Sequence, residues 1–435
     1  MDEKRSIQMR KRNMKLFPIC RALGWDYIFF YTTNFLFLTQ VKNIDPADVV
    51  LIDSFYALFG IIMQIPATFI IEYLGRRRSI ILANFLNCMY MIIIMFSRNL
   101  FDLIIAELLS ALAFAIKDSA ELALLNESIP ASRYKGQIFA KINERGISNY
   151  YIINAISTIL SGFLYDVNPY IPIILALTTT LFLTILSRGF VEPPIIQNKK
   201  KNKKDFSEIK NLKESFKFIL KSERLKSLIL FSAITVGVFN VLTNYEISLL
   251  ENLDIDAKYL GIIFAVLGII SGIVTKKQEV FHNKHRNKTL CLILGGLGIS
   301  IIISGIAAII ATKYRIFIIF IIISYVIKYA YKGIYNPLMD KYLRNFSNEE
   351  IDTKIFTAKN FFGSIFSVII GVFASFILER MDIAICMTLI GIITVILTII
   401  MDKYMKTRVG LKPEEYSKEE RKYDELNQKT EIGAK

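Results

Sequence analysis

Asp26 stands near the middle of an apolar stretch, with Arg21 one turn and a half before it. An ionisable group in hydrocarbon costs about 2.5–3.5 kcal/mol on insertion scales, so one that is kept there usually faces a cavity or a partner. More of them follow. Glu107, Lys117, Asp118 and Glu121 interrupt another apolar run. At about 100° per residue the three carboxylates share one narrow arc, and Lys117 comes one turn before Glu121. A third run carries Tyr325, Lys328, Tyr329, Lys332, Asn336 and Asp340 along one helical face, and a fourth carries Asn240, Thr243, Asn244 and, at its end, Glu251.

The chemistry open to these groups is reversible binding. A carboxylate in a dehydrated cavity exchanges its proton when a cation approaches, so binding and protonation become linked. Asp26 is the best single proton carrier, with Thr33 and Gln40 expected on its face at intervals of seven. Lys328 and Lys332 suit an anionic group, and the Asp26, Glu107, Asp118 and Glu121 carboxylates suit protons or a cationic group. Trp25, Tyr27, Tyr325 and Tyr329 offer amphipathic walls. A zwitterionic or amphipathic small molecule, with protons, fits this set best. A structural role competes: Arg21, Glu251, Lys332 and Asp340 lie near run ends, where long side chains snorkel, and Asp26, Asp118 and Lys328 can serve as inter-helix ion pairs.

The elements that must position these groups follow from composition. The 435 residues are 53% hydrophobic and 21% charged, with a mean hydropathy of +0.44, too apolar for a soluble chain of this length. Apolar runs long enough to span a bilayer centre near Phe29, Phe59, Met91, Ala113, Ile156, Leu181, Thr235, Leu267, Ile301, Ile322, Val368 and Thr394. Helix satisfies the backbone within each segment, so an all-α integral membrane protein of twelve transmembrane helices is expected. Basic residues recur in alternate connections: Arg76 to Arg78; Arg133, Lys135, Lys141 and Arg145; Lys199 to Lys204; Lys276, Lys277, Lys284, Arg286 and Lys288. The positive-inside rule then predicts a multi-pass protein of the cell membrane with both termini cytoplasmic.

Other classes lose ground on the same residues. The net charge of +15 sits in loops between spans, which argues against nucleic acid as a partner. Cys20, Cys88, Cys291 and Cys386 lack CxxC spacing and read as core. His282 and His285, the only histidines, share one basic loop, so neither a metal site nor an enzyme's catalytic constellation is expected. No Walker-type run appears, and no cofactor is predicted. The first apolar stretch lacks a signal-peptide cleavage site and reads as retained.

The predicted organisation is a basic N-terminus over 1–15, a six-helix bundle over 16–194, a cytoplasmic linker with an amphipathic helix over 195–226, a second six-helix bundle over 227–402, and a charged cytoplasmic tail over 403–435. Ala57-Leu-Phe-Gly60-Ile-Ile62 and Ala265-Val-Leu-Gly268-Ile-Ile270 occupy the same place in each half, a trace of pseudo-symmetry.

Pro66-Ala-Thr68-Phe-Ile-Ile-Glu72-Tyr-Leu-Gly75-Arg76-Arg77-Arg78 resembles the loop signature G-x-x-x-D-[RK]-x-G-R-[RK] of the major facilitator superfamily, between spans 2 and 3. Thr68 stands for the first Gly, Glu72 for Asp and Tyr73 for the basic residue. Phe190-Val-Glu192-Pro193, Lys221-Ser-Glu-Arg-Leu225 and Asn336-Pro337 add to the likeness, which covers nearly the whole chain. The resemblance implies two six-helix bundles that rock about a midplane site in a monomer, and a conformational latch at Glu72, Gly75, Arg76 and Arg77. Anchoring of topology is the plainer role for the arginines. The span 4 run Lys117-Asp-Ser-Ala-Glu-Leu-Ala-Leu-Leu125 resembles bacterial efflux-like members, and the antiporter signature of span 5 is absent. A proton-coupled exporter is the expectation; an uptake symporter or a lipid-handling or signalling protein on the same scaffold are its rivals.

Overall fold

The computed structural model describes residues 3–130, 134–192, 223–285, 288–344 and 349–408. The predicted linker helix, the tail beyond residue 408, Arg133 and Arg286 lie outside the described residues. The long helices are α1 (Glu3–Gly24), α2 (Pro46–Ile62), α3 (Gln64–Leu74), α4 (Arg76–Phe96), α5 (Leu100–Ser128), α6 (Lys135–Val167) and α7 (Tyr170–Ser187). They continue as α8 (Glu223–Glu251), α9 (Ala257–Thr275), α10 (Gln278–His285), α11 (Thr289–Ala311), α12 (Ile318–Arg344), α13 (Glu349–Leu378) and α14 (Ile383–Arg408).

Among the described residues nine helices are long and apolar enough to cross a membrane, or ten if α2 and α3, bent by 50°, form one broken span. The remaining two of the twelve expected spans are the charged one and the interrupted one. At 29 residues α5 has ample length but carries Glu107, Lys117, Asp118 and Glu121. The first span does not run as one helix: α1 stops at Gly24, turns follow to Thr33, and a short helix (Asn34–Leu36) leads into a π-helical turn (Phe37–Val41). Helical register therefore fails between Asp26 and Gln40, and the expected face of Asp26, Thr33 and Gln40 does not form. Phe29 takes a φ of 72°, a left-handed conformation costly for a bulky residue. Thr33 instead bonds its own turn at Phe29 and Phe30, and Gln40 accepts from Tyr165 at 3.2 Å.

Two compact units divide the chain. The first takes Met1–Asp205 with Ile255–Ala265, and the second takes Phe206–Asp254 with Val266–Lys435. In the first unit α4 packs against α5 and α7, and α1 against α6. Phe17, Cys20, Ile80, Ile116, Ala120 and Leu183 lie in its core. Asn13, buried to 1% exposure, ties α1 to the segment after α7: its amide donates to Val191 O at 2.7 Å and to Ser128 Oγ at 2.9 Å, and its carbonyl accepts from Val191 N at 2.9 Å. Partners for a side-chain amide are scarce in a membrane protein's interior, so these three bonds, out of four that an amide can make, fix the helix.

In the second unit α11 lies against α14 and α12, and α8 against α13. The α11–α14 contact is one of backbones. A Cβ at Gly305 would stand 2.7 Å from Ala384 O, and one at Gly391 would stand 3.0 Å from Gly298 O. Small residues drive helix association in membranes because apolar lipid supplies no other drive. Gly60 and Gly268 of the internal repeat face open space instead, with nothing within 4 Å of a Cβ. Gly305→Ala should lower apparent thermal stability of the detergent-purified protein through about 1–3 kcal/mol of overpacking. Gly268→Ala should leave it unchanged or raise it, since alanine is the better helix former.

Candidate functional site

In the first unit the break in span 1 and the charges of α5 meet. With α1 ended, the Gly24 carbonyl has left the helical ladder, and Lys117 Nζ donates to it at 2.7 Å. The ammonium sits at the negative end of the α1 dipole. Arg21 places Nη1 2.7 Å from Asp118 Oδ1 and 3.4 Å from Glu121 Oε2, with its guanidinium 4.1 Å from the Trp25 ring centroid. Arg21 is 6% exposed, which removes it from the snorkelling residues. Asp118 is not deep: its side chain is 58% exposed, whereas Glu121 is 1% exposed. Glu121 Oε1 is buried with no hydrogen-bond partner among the described residues. An arc of three carboxylates on one helix thus divides into an open one and two buried ones.

Asp26 is held apart from that cluster. Its Oδ1 accepts from the Tyr27 backbone N–H at 2.7 Å and its Oδ2 from the Tyr150 hydroxyl at 3.4 Å. Tyr27 donates to Asn87 Oδ1 at 2.9 Å, lies 2.8 Å from Ser110 Oγ, and stacks on Tyr90 at 4.6 Å. Tyr90 in turn donates to Glu107 Oε1 at 3.4 Å. Asp26 and Glu107 thus flank a cluster of polar and aromatic groups that includes residues the sequence reading passed over: Asn87, Tyr90, Ser110 and Tyr150. Their signal was present, since Asn84, Asn87 and Tyr90 recur on one face of α4.

At the loop after α3, Gly75 is buried with a φ of 83°, a conformation that favours glycine. Glu192 sits against it and accepts from the Arg77 backbone N–H at 3.3 Å, a carboxylate at the positive start of α4. Arg76 lies 3.6 Å from Glu127, and Arg77 Nη2 donates to Arg188 O at 2.9 Å. Glu72 is exposed.

The second unit holds a different arrangement. Glu246 and Lys328, each 2% exposed in the side chain, form an ion pair at 2.7 Å, oriented off the line of a good hydrogen bond. Tyr325 donates to Glu246 O at 3.2 Å. Lys328 and Lys332 lie 4.9 Å and 5.8 Å from the Tyr329 ring centroid. Asn240 donates to Ser367 at 2.9 Å, and Asn244 is buried. Glu246 was missed in the sequence because Glu251 marked the end of its span, although a carboxylate amid Leu-rich helix carries the same signal as Asp26. The two lysines are therefore unequal: Lys328 is neutralised within the protein, and Lys332 forms no ion pair among the described residues.

The first charge group and Glu246 fall inside a single stretch of sequence similarity, and Lys328 and Lys332 lie just past its end. A family profile described as Major Facilitator Superfamily matches residues 19–327. The chain belongs to the major facilitator superfamily. Its family is one of multi-pass helical membrane transporters and not of enzymes. The uncharacterized MFS-type transporter YxaM of Bacillus subtilis (strain 168) is 24% identical over 222 residues, 50% of this chain and 53% of that protein. The chain thus aligns with about half the length of this curated relative. Among solved structures, the nucleoside transporter NupG matches with a TM-score of 0.69 at 11% identity, covering 92% of this chain and 99% of that one. A peptide transporter POT in complex with sulfate gives 0.64 at 11% identity, covering 94% and 99%. A D-xylose-proton symporter gives 0.62 at 13% identity, covering 93% and 98%. At these identities the likeness is one of fold.

Removing one partner of the Glu246–Lys328 pair leaves a buried charge uncompensated, at a cost of about 3–5 kcal/mol. Glu246→Leu alone and Lys328→Met alone should each lower the apparent melting temperature more than the double replacement does.

Proposed function

We propose that this superfamily member is a proton-coupled secondary transporter that exports a small zwitterionic or amphipathic organic molecule by alternating access. The observation that supports the reading most is the buried, half-satisfied carboxylate Glu121 beside Arg21, with Asp26 one turn away in sequence on an interrupted span. A buried carboxylate oxygen without a donor is accommodated when the group carries a proton. Release of that proton leaves an anion beside Arg21, which then competes with Asp118 for the guanidinium. Asp26 and Glu107, each bonded to a tyrosine hydroxyl, serve as two further proton-carrying groups.

Substrate recognition is assigned by charge. Lys332, over Tyr329, receives an anionic group, while Asp118, the open carboxylate of α5, receives a cationic one. Asn240, Asn244 and Tyr325 supply polar contacts within the second unit. Glu72, Gly75, Arg76 and Arg77 act as the latch, with Arg76 engaged by Glu127. The protein works as a monomer in the cell membrane, with protons as its coupling partner and both termini in the cytoplasm, as the alternation of basic loops requires. Uptake by proton symport is the second reading, favoured by the likeness to the D-xylose-proton symporter.

Vesicles containing the purified chain, loaded with a panel of zwitterionic and amphipathic solutes under an imposed pH gradient, test the proposal. An exporter accumulates its solute in acid-lumen vesicles with proton exit; a symporter accumulates it when the outside is acid. Asp26→Asn and Glu121→Gln should keep solute exchange without a gradient but lower gradient-driven accumulation to the level of protein-free vesicles, since neither replacement can bind and release a proton. Wild-type pH dependence in both variants removes them from coupling.

A further inference from the structure

Outside the charged interior, the first unit carries a second group of cations for which transport has no use. Lys11, Arg12 and Lys15 on α1 and Arg188 just after α7 line a cavity of about 790 Å³, whose apolar side includes Phe182 and Ile185. The volume lies within the range of small-molecule pockets. All four cations are exposed, and none forms an ion pair with a described residue. Phe182 and Ile185 are exposed to 54% and 63%, on the last two turns of a span.

Four like charges on one wall repel one another, so something other than their own attraction must hold them together. The backbone does. Asn13, next to Arg12, is bonded on both sides of its amide to Val191, three residues past Arg188. Gly189 lies so close to α1 that a Cβ there would stand 3.0 Å from Leu16 and 3.4 Å from the Arg12 guanidinium. The cations are thus set around the cavity by contacts that do not involve their charges. A soluble anion would satisfy the cations and leave the aromatic and aliphatic side unexplained. A ligand with an anionic head and a hydrocarbon tail satisfies both.

We propose that this cavity binds one anionic phospholipid, with its phosphate held by Lys11, Arg12, Lys15 and Arg188 and an acyl chain along Phe182 and Ile185. Basic pockets at the ends of spans hold such headgroups, and each cation near the surface contributes about a fivefold gain in affinity for an anionic lipid. None of its side chains belongs to the proton or substrate pathway; it touches the latch only where the Arg188 backbone carbonyl accepts from Arg77, a bond that R188Q leaves in place.

The test is native mass spectrometry of the purified full-length chain, exchanged from phosphatidylcholine micelles into increasing phosphatidylglycerol. One retained phosphatidylglycerol is expected for the wild type. K11Q/K15Q should weaken its retention about 25-fold, and F182S/I185S should weaken it as well. K276Q/K277Q, which removes two cations from another basic loop, should retain the lipid. Equal loss in K11Q/K15Q and K276Q/K277Q would show diffuse attraction to the membrane and overturn the site. Displacement of the lipid from wild type by glycerol 3-phosphate at equal concentration, or unchanged retention in F182S/I185S, would reduce it to a small-anion contact and overturn the lipid assignment. Circular dichroism of each variant separates a lost site from a lost fold, and R188Q alone, which leaves α1 untouched, should still weaken retention about fivefold.

Discussion

The Gly24 carbonyl is the group around which the first unit is arranged. Lipid offers no hydrogen bond to a backbone that leaves its helix, so a span can break only where the protein supplies the missing partner. Lys117 supplies it from α5. That donation requires a buried ammonium, and the ammonium requires carboxylates near it on the same helix, of which Glu121 is fully buried and Asp118 open. Arg21, on the last turn of the broken helix, then joins the same carboxylates. The interior charge of this unit is thus a consequence of one interrupted helix, and it is the same interruption that gives Asp26 a local backbone donor in place of a helical neighbour.

The two units carry charge in different ways. In the second, Glu246 and Lys328 close on each other and are sealed from solvent, and Tyr325 supports the backbone beside them. In the first, one guanidinium serves two carboxylates and one carboxylate oxygen remains without a donor. A closed pair is a structural element with little left to offer a ligand, while an over-subscribed cation can change partners at small cost. The first unit thus holds a buried carboxylate oxygen without a donor, whereas in the second Lys332 lies over Tyr329 beside the closed pair.

Membrane residence and helical class were legible in the sequence because lipid permits few solutions, and the hydropathy of each run announces them. The ionisable residues were legible for the same reason, since each violates its surroundings. Their partners were not. The α5 arc of Glu107, Asp118 and Glu121 was correct in angle, yet the structure gives each a separate environment, because a helical wheel carries no information on which neighbouring helix covers which turn. The failure at Asp26 was of another kind: period counting assumed a continuous helix, and no Pro or Gly pair announces the break after Gly24. The tyrosine and asparagine cluster of Tyr27, Asn87 and Tyr90 was hidden because such residues are ordinary in any membrane helix until one of them is seen to touch a carboxylate.

Asn13 and Val191 hold each other across 178 residues. On a ribosome that adds roughly 5–20 residues per second, the asparagine waits about 9–36 seconds for its partner to be made. During that interval Ser128 alone is there to accept from the Asn13 amide. The clasp therefore closes only after the segment that follows α7 has been made. The order of synthesis thus sets the order in which the bonds of Asn13 can form, Ser128 first and Val191 last.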